Sequence, residues 1–260
     1  MTKAIFITGG GSGIGRATAQ SFAGKGWFVG LADVNAAGMA ETAALLPAGA
    51  SSSHILDVRD CAQWDAVLAA FTAQTGERID ILFNNAGIGT GGLLSETPAV
   101  EIDRLIDINL KGMFYGAQAG LKYLKATPGS ALVNTSSAAG FYAGPGMSGY
   151  AATKFGVRAM TESLEQEWAE YGIKVRAIMP GFIDTPLLSV NAIGSNRSIR
   201  ETVKARGLEF TPVEQVAEAV WDAVQGRRVF LPVGKTARRI AFLSRWFPSV
   251  LTRMGRTKAR

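Results

Sequence analysis

Histidine and cysteine are almost missing from this chain: its 260 residues hold one of each, His54 and Cys61. A lone cysteine excludes an internal disulfide framework and favours a reducing compartment. A lone histidine, early in a stretch read as a strand, argues against Ser/His/Asp hydrolysis and a His-rich metal site. Packing or surface exposure is the expectation for it, and no metal is expected. No run of about 18 apolar residues exists to span a bilayer, and no signal peptide is read before the first strand, so a cytoplasmic location is expected. Acids are absent from one region, since residues 227–260 hold ten Lys or Arg and no Asp or Glu. The first 226 residues carry 17 bases against 21 acids, so the net charge of +6 comes entirely from the tail. Basic charge confined in this way is not a nucleic-acid footprint, and no nucleic acid is expected as a partner.

Apolar residues and glycine are abundant. The chain is 47% hydrophobic with 31 glycines, which suits a buried parallel sheet with many tight turns. Apolar runs at 3–7, 27–33, 53–58, 80–87, 130–137, 173–180 and 227–233 read as strands. Helical patterns fall between them at about 14–23, in an Ala-rich stretch ending near Pro47, and at 60–75, 98–125, 150–171 and 213–225. The last opens on Thr211-Pro212-Val213-Glu214, which has capping-box spacing and places Pro at the first helical position. Strict alternation predicts an α/β fold: a doubly wound, mostly parallel seven-stranded sheet with helices on both faces, Rossmann-like, plus a short basic C-terminal helical extension. The expected division is a doubly wound domain over 1–234, including a loop at 187–210, and the extension over 235–260.

The first strand runs into Thr8-Gly9-Gly10-Gly11-Ser12-Gly13-Ile14-Gly15, and a helix follows. Glycines there let the backbone approach a pyrophosphate, and the helix N-terminus offers free N–H groups and the positive end of its dipole. Asp33 ends the second strand 18 residues after Gly15, where a carboxylate accepts from adenosine ribose hydroxyls. It also repels a 2′-phosphate, and no Lys or Arg lies in the loop from 8 to 15, so NAD is preferred over NADP. The other reading of Asp33 is a cap for the helix from Asn35. In SGYAATKFG, residues 148–156, Tyr150 and Lys154 stand four apart and share one helix face. By itself that is either a Tyr packed on a Lys stem or a tuned phenol.

From residue 4 to 186 these segments resemble the short-chain dehydrogenase/reductase family. The TGGGSGIG loop is similar to its TGxxxGxG form, Asn84-Asn85-Ala86-Gly87 to its NNAG segment, and Asp57-Val58 to the pair that meets the adenine. Ser137 lies 13 residues before Tyr150, the family's usual gap between catalytic Ser and Tyr. Asn109 matches the Asn of its fourth helix, and Pro180-Gly181 with Ile183 and Thr185 the segment that closes over the nicotinamide. The resemblance implies Asn109, Ser137, Tyr150 and Lys154 as catalytic residues. It places the cofactor against Gly9, Ser12, Gly13, Ile14, Gly15 and Asp33, against Asp57, Val58, Asn85, Ala86 and Gly87, and against Tyr150, Lys154 and the 180–185 segment. Strand alternation sends Ser136 and Ser137 to opposite faces, and the spacing selects Ser137. A nearby ammonium and the positive nicotinamide of an oxidised cofactor favour the phenolate, so Tyr150 is expected to titrate below its free value. It then takes the hydroxyl proton of an alcohol while hydride leaves for NAD, with Ser137 holding the substrate oxygen. Lys154 is implied to bond the nicotinamide ribose. Asn109 is implied to hold a water linking Lys154 to solvent, or else bonds backbone for structure only.

The expected function is hydride transfer between NAD and a secondary alcohol or ketone. Leu187, Leu188, Val190 and Ile193, with Phe141, Tyr142 and Met147, suggest an apolar pocket and a hydrophobic small-molecule substrate. The alternatives are a non-catalytic NAD(H)-binding sensor or scaffold, or an NAD-dependent epimerase or dehydratase, for which the 75 residues after Thr185 are too few. The resemblance also implies a homodimer or homotetramer, the dimer running through the helices at 98–125 and 149–171. The tail departs from the family's usual ending. Ile240, Leu243, Phe247, Val250, Leu251 and Met254 recur at helical spacing among arginines, and Pro248 splits them into two short helices. Such a segment packs on its own chain or another subunit, lies on an anionic membrane as a peripheral contact, or stays disordered.

Overall fold

The computed structural model describes residues 2–257. The chain runs β1 (Ala4–Thr8), α1 (Gly13–Gly24), β2 (Phe28–Asp33), α2 (Ala36–Ala44), β3 (Ser51–Ile55), α3 (Cys61–Thr75) and β4 (Ile81–Asn84). It continues through α4 (Ala99–Ile106), α5 (Gly112–Ala126), β5 (Ala131–Thr135), α6 (Ser148–Glu167), β6 (Lys174–Pro180) and the short β7 (Phe182–Ile183). The last part holds α7 (Ile199–Ala205), β8 (Phe210–Thr211), α8 (Val213–Gln225), β9 (Phe230–Val233), α9 (Lys235–Trp246) and α10 (Pro248–Thr257). Seven strands form one parallel sheet in the order β3-β2-β1-β4-β5-β6-β9, and β7 pairs with β8 separately. All five residues of β1 and of β5 are buried, because helices cover both faces of a parallel sheet. Phe22 and Trp27 pack with Trp221 on one face, and Trp64, Leu68 and Phe71 with Trp168 on the other. Strand order reverses between β1 and β4, which makes the carboxyl ends of β1, β4 and β5 the place for a ligand.

Several expectations are corrected. The third strand starts at Ser51, two residues before the apolar run, and stops at Ile55. It is a half-exposed edge strand in which serines pair as well as apolar residues do. The single helix read over 98–125 is two helices joined by a π-helical turn, Asp107–Lys111, that carries Asn109. Thr211 does not cap α8; it is buried in β8, and Pro212 occupies the cap position one residue earlier than expected.

The segment after β6 is structured. It contains a 3-10 turn at Pro186–Ser189 and α7, which starts with a capping box between Ser198 and Glu201. Pro248 does divide the extension into α9 and α10, with α9 against β9 and the turn at residues 138–140. Its inward residues include Ala237 and Leu251, both buried, with Ile240 and Leu243 half-buried. Phe247, Val250 and Met254 instead face outward, together with Phe242 and Trp246. The apolar face is thus wider than its spacing suggested. Lys258 and Arg260, part of the basic count, lie outside the described residues.

Candidate active site

A cavity of about 1120 Å³ opens across the carboxyl ends of the strands. At one end lies the glycine loop. Gly9 and Gly13 have φ of 69° and 49°, left-handed values that suit glycine. A Cβ on Gly15 would fall on the Gly9 carbonyl oxygen, so Gly15 lets α1 start against the loop and does not itself line the cavity. Ser12 is extended and its side chain makes no cap. The first N–H groups of α1 have no intrahelical partner, and with the dipole they form a cradle for an anion. Asp33 accepts from Gly11 N–H through Oδ2 and from Asn35 N–H through Oδ1, both at 3.0 Å. Asn35, not Asp33, caps α2, by accepting from Gly38 N–H. Both Asp33 oxygens keep lone-pair capacity toward the cavity, so a nucleotide diphosphate with a ribose fits this end.

Arg16 was missed in the sequence because only residues 8–15 were searched for bases. Long helical side chains point back toward the N-terminus, so a base just after Gly15 was the signal. Its guanidinium donates to Gly11 O at 2.7 Å and pairs with Glu41 at 2.7 Å. Arg59 was missed as well. It holds the Asp57 carboxylate through contacts of 2.6–3.0 Å, and this hydrogen bonding keeps the carboxyl below the usual range. Asp57, Val58, Ala86 and Gly87 line the cavity as expected. Asn85 does so too, but its amide donates to Thr8 O at 2.9 Å and accepts from Thr135 Oγ1 at 3.1 Å. It therefore ties together the ends of β1, β4 and β5.

Ser137, Tyr150 and Lys154, expected to be catalytic, gather around the end of β5. Ser137 is buried, accepts from Ala139 N–H at 3.1 Å and shares a hydrogen bond with the Tyr150 phenol. Ser136 Oγ points away and donates to Lys154 O at 2.9 Å, which removes it as the competitor. Lys154, 3% exposed, donates from Nζ to Thr135 O at 3.0 Å. Its Nζ stands 5.6 Å from the Tyr150 ring centroid. Burial brings the Lys154 ammonium down to about 8. The expected lowering of Tyr150 is not found. Burial raises it above its ordinary value, and only the Ser137 hydrogen bond works the other way. The Lys154 charge is directed at a carbonyl and does not reach the phenol as a dominant influence.

Asn109 is fully buried and does not line the cavity. Its Oδ1 accepts from Ile88 N–H and its Nδ2 donates to Ile88 O, each at 2.8 Å. The amide is thereby committed to the backbone beside Gly87. His54 stays far away, on β3, where Nε2 meets Ser52 Oγ at 2.8 Å.

At the other end the cavity is walled by Met147, Leu187, Leu188, Val190 and Ile193, as expected. Pro180, Gly181, Ile183 and Thr185 connect the two ends. Phe141 and Tyr142 are not in the wall. Phe141 stacks on Arg158 of α6, and Tyr142 donates to Leu251 O at 2.9 Å, so α6 takes up the first and the extension draws the second away from the substrate. Ile88, Phe182, Val203 and Leu208 are added instead.

A family model described as short chain dehydrogenase matches residues 3–193. The chain belongs to this family. Levodione reductase of Leifsonia aquatica is 40% identical over 191 residues, 72% of this chain and 71% of that one. The probable oxidoreductase EphD of Mycobacterium tuberculosis is 31% identical over 98% of the chain, which spans 45% of that relative's length. Among solved structures, a short chain dehydrogenase/reductase of Burkholderia phymatum in complex with NAD gives a TM-score of 0.85 at 28% identity, covering 97% and 95% of the two chains. Solved structures to which the chain is similar hold NADH, NAD or NADP, and this short chain dehydrogenase is an oxidoreductase.

Proposed function

We propose that the protein transfers a hydride between NAD and a hydrophobic secondary alcohol or its ketone, with Tyr150 as the acid/base. The observation that carries this reading is the gathering of Ser137, Tyr150 and Lys154 at the carboxyl end of β5, on one cavity whose other end is an uncapped helix N-terminus. The bound nicotinamide supplies the hydride acceptor or donor. In oxidation Tyr150 takes the hydroxyl proton as the C–H electron pair leaves; in reduction the phenol returns a proton to the carbonyl oxygen. Ser137 holds that oxygen and keeps the phenol aimed at it. Lys154, anchored on Thr135 O, carries its remaining donors toward the nicotinamide ribose. Asn109 is a positioning residue that fixes the Gly87–Ile88 wall through two hydrogen bonds.

Asp33 at the ribose position supports NAD over NADP, since its carboxylate repels a 2′-phosphate. Arg16 lies nearby but is paired with Glu41. The apolar wall of the substrate end supports a substrate with little polar surface besides the reacting oxygen. A homodimer is supported by Ile106, Phe114 and Phe155, all exposed on the helices expected to form it. A reducing, cytoplasmic setting suits the single exposed thiol of Cys61.

The test is nicotinamide fluorescence titration with NADH and NADPH, followed by turnover of a panel of apolar and small polar alcohols under NAD. Tighter NADH binding with turnover of apolar alcohols is the expected result. Tight binding with no turnover across the panel would move the protein to the sensor reading. Tighter NADPH binding would remove the assigned role of Asp33.

A further inference from the structure

The C-terminal extension folds back on its own chain yet leaves a second apolar face outside. Phe242 and Trp246 are 55% and 62% exposed and lie one turn apart on α9. Phe247 meets Phe242 at 6.0 Å between ring centroids. Val250 and Met254 continue the ridge along α10, also exposed. A helix that docks by one apolar face normally presents polar residues on the other. Here the outward face holds two phenylalanines and a tryptophan, and contiguous apolar surface of that kind marks a contact site.

The charge around the ridge identifies the contact. Arg238, Arg239, Arg245 and Arg256 are exposed on the same two helices, and Arg245 lies over the Trp246 ring at 5.4 Å. No acid occurs after residue 226; Glu209, which meets Lys235 at 3.8 Å, stands at the opening of α9, away from the ridge. A twofold contact between copies through this face would set the same basic patch against itself. An apolar ridge with Trp and Phe, rimmed by Arg and lying flat on the protein, has the chemistry of a segment seated in the headgroup region of an anionic bilayer.

We propose that α9 and α10 dock the protein on anionic lipid surfaces through the Phe242–Met254 ridge. The inward side of α10, opposite the ridge, adjoins the substrate end of the cavity, so the cavity lies about one helix diameter from the ridge. Tyr142 donates to Leu251 O, and a side chain on Gly255 would meet Pro145, which lines the cavity. Docking therefore sets the cavity mouth near the lipid, where an apolar alcohol or ketone concentrates. This second step rests on the proposed substrate class; the docking does not.

The test is co-sedimentation of the full-length protein with vesicles of mixed phosphatidylglycerol and phosphatidylcholine, and with phosphatidylcholine alone. Binding to the anionic vesicles, at least about tenfold weaker on phosphatidylcholine and weakened by added salt, is expected. The double variant Phe242→Ser, Trp246→Ser should lose about tenfold in vesicle affinity while binding NADH like the parent. Its NADH titration shows that it is folded and separates this outcome from any failure of the enzymatic reading. Absence of wild-type binding to anionic vesicles, or undiminished binding by the double variant, would overturn the proposal. So would concentration-dependent self-association that the double variant abolishes, since the ridge would then belong to a second copy.

Discussion

At its cofactor end the cavity is walled by backbone and hydrogen-bonded polar groups, whereas at its substrate end it is walled by apolar side chains from short elements. The Asp33 carboxylate, the Asn85 amide and Lys154 Nζ each meet backbone partners at 2.9–3.0 Å. Leu187, Val190, Ile193 and Val203 line the cavity from a 3-10 turn, the residues just after it and α7, with Leu187 beside Gly89 and Ile193 beside Gly92. A wall of fixed donors and acceptors fails when one atom is removed, because an unpaired buried polar group is costly. A wall of apolar side chains repacks and tolerates volume-conserving change. Change is therefore expected to be tolerated less at the first end than at the second.

The sharpest way to test that contrast is at the wall between the two ends. Tyr150→Phe removes the proton carrier but little volume, and turnover should fall by about a hundredfold or more, with NADH affinity by fluorescence nearly unchanged. Comparable turnover would break the acid/base assignment.

Asn109→Ala should lower stability by about 2 kcal/mol in chemical denaturation, since it strands both polar groups of Ile88. A loss under half that would mean that water replaces the amide and that the polar frame is softer than argued.

Lys154→Met is expected to destroy turnover yet stabilise the cofactor-free protein, by about 2 kcal/mol at pH 7. The Lys154 pKa of about 8 lies below its ordinary 10.5, so burial of the ammonium destabilises the folded state. That penalty is complete below pH 8, fades between pH 8 and 10.5, and is gone above. The lost bond to Thr135 O offsets part of the gain. Thermal melting across this range checks the sign, and a variant less stable than the parent at pH 7 refutes it.

The smallest effect is expected at Asp33→Ala, which should weaken NADH by about tenfold while leaving NADPH almost unaffected. Equal losses for both cofactors would show that Asp33 matters only by holding Gly11 and Asn35.

Spacing alone brought out the alternating elements, the glycine loop, Asp33, the Tyr150–Lys154 pair and the break at Pro248. Each depends on local chemistry: a period, a left-handed glycine, a side-chain repeat on one helix face, a missing N–H. Seven parallel strands follow from that alternation, because a parallel sheet needs a crossover between every pair; their order in the sheet does not. Other features lie in contacts between residues distant in the chain. Asn109 turns to Ile88, 21 positions away, through a π-helical turn that no periodicity announces. Tyr142 is drawn from the pocket by Leu251, 109 positions on. Whether Tyr150 feels Lys154 was decided by the Thr135 carbonyl that captures the ammonium. Burial, which only the packed molecule sets, moved the phenol opposite to the direction that the neighbouring charge had suggested. Local periods and backbone chemistry determined the scaffold; desolvation and long-range hydrogen bonds, which exist only once the chain has closed on itself, decided how its catalytic groups are charged and aimed.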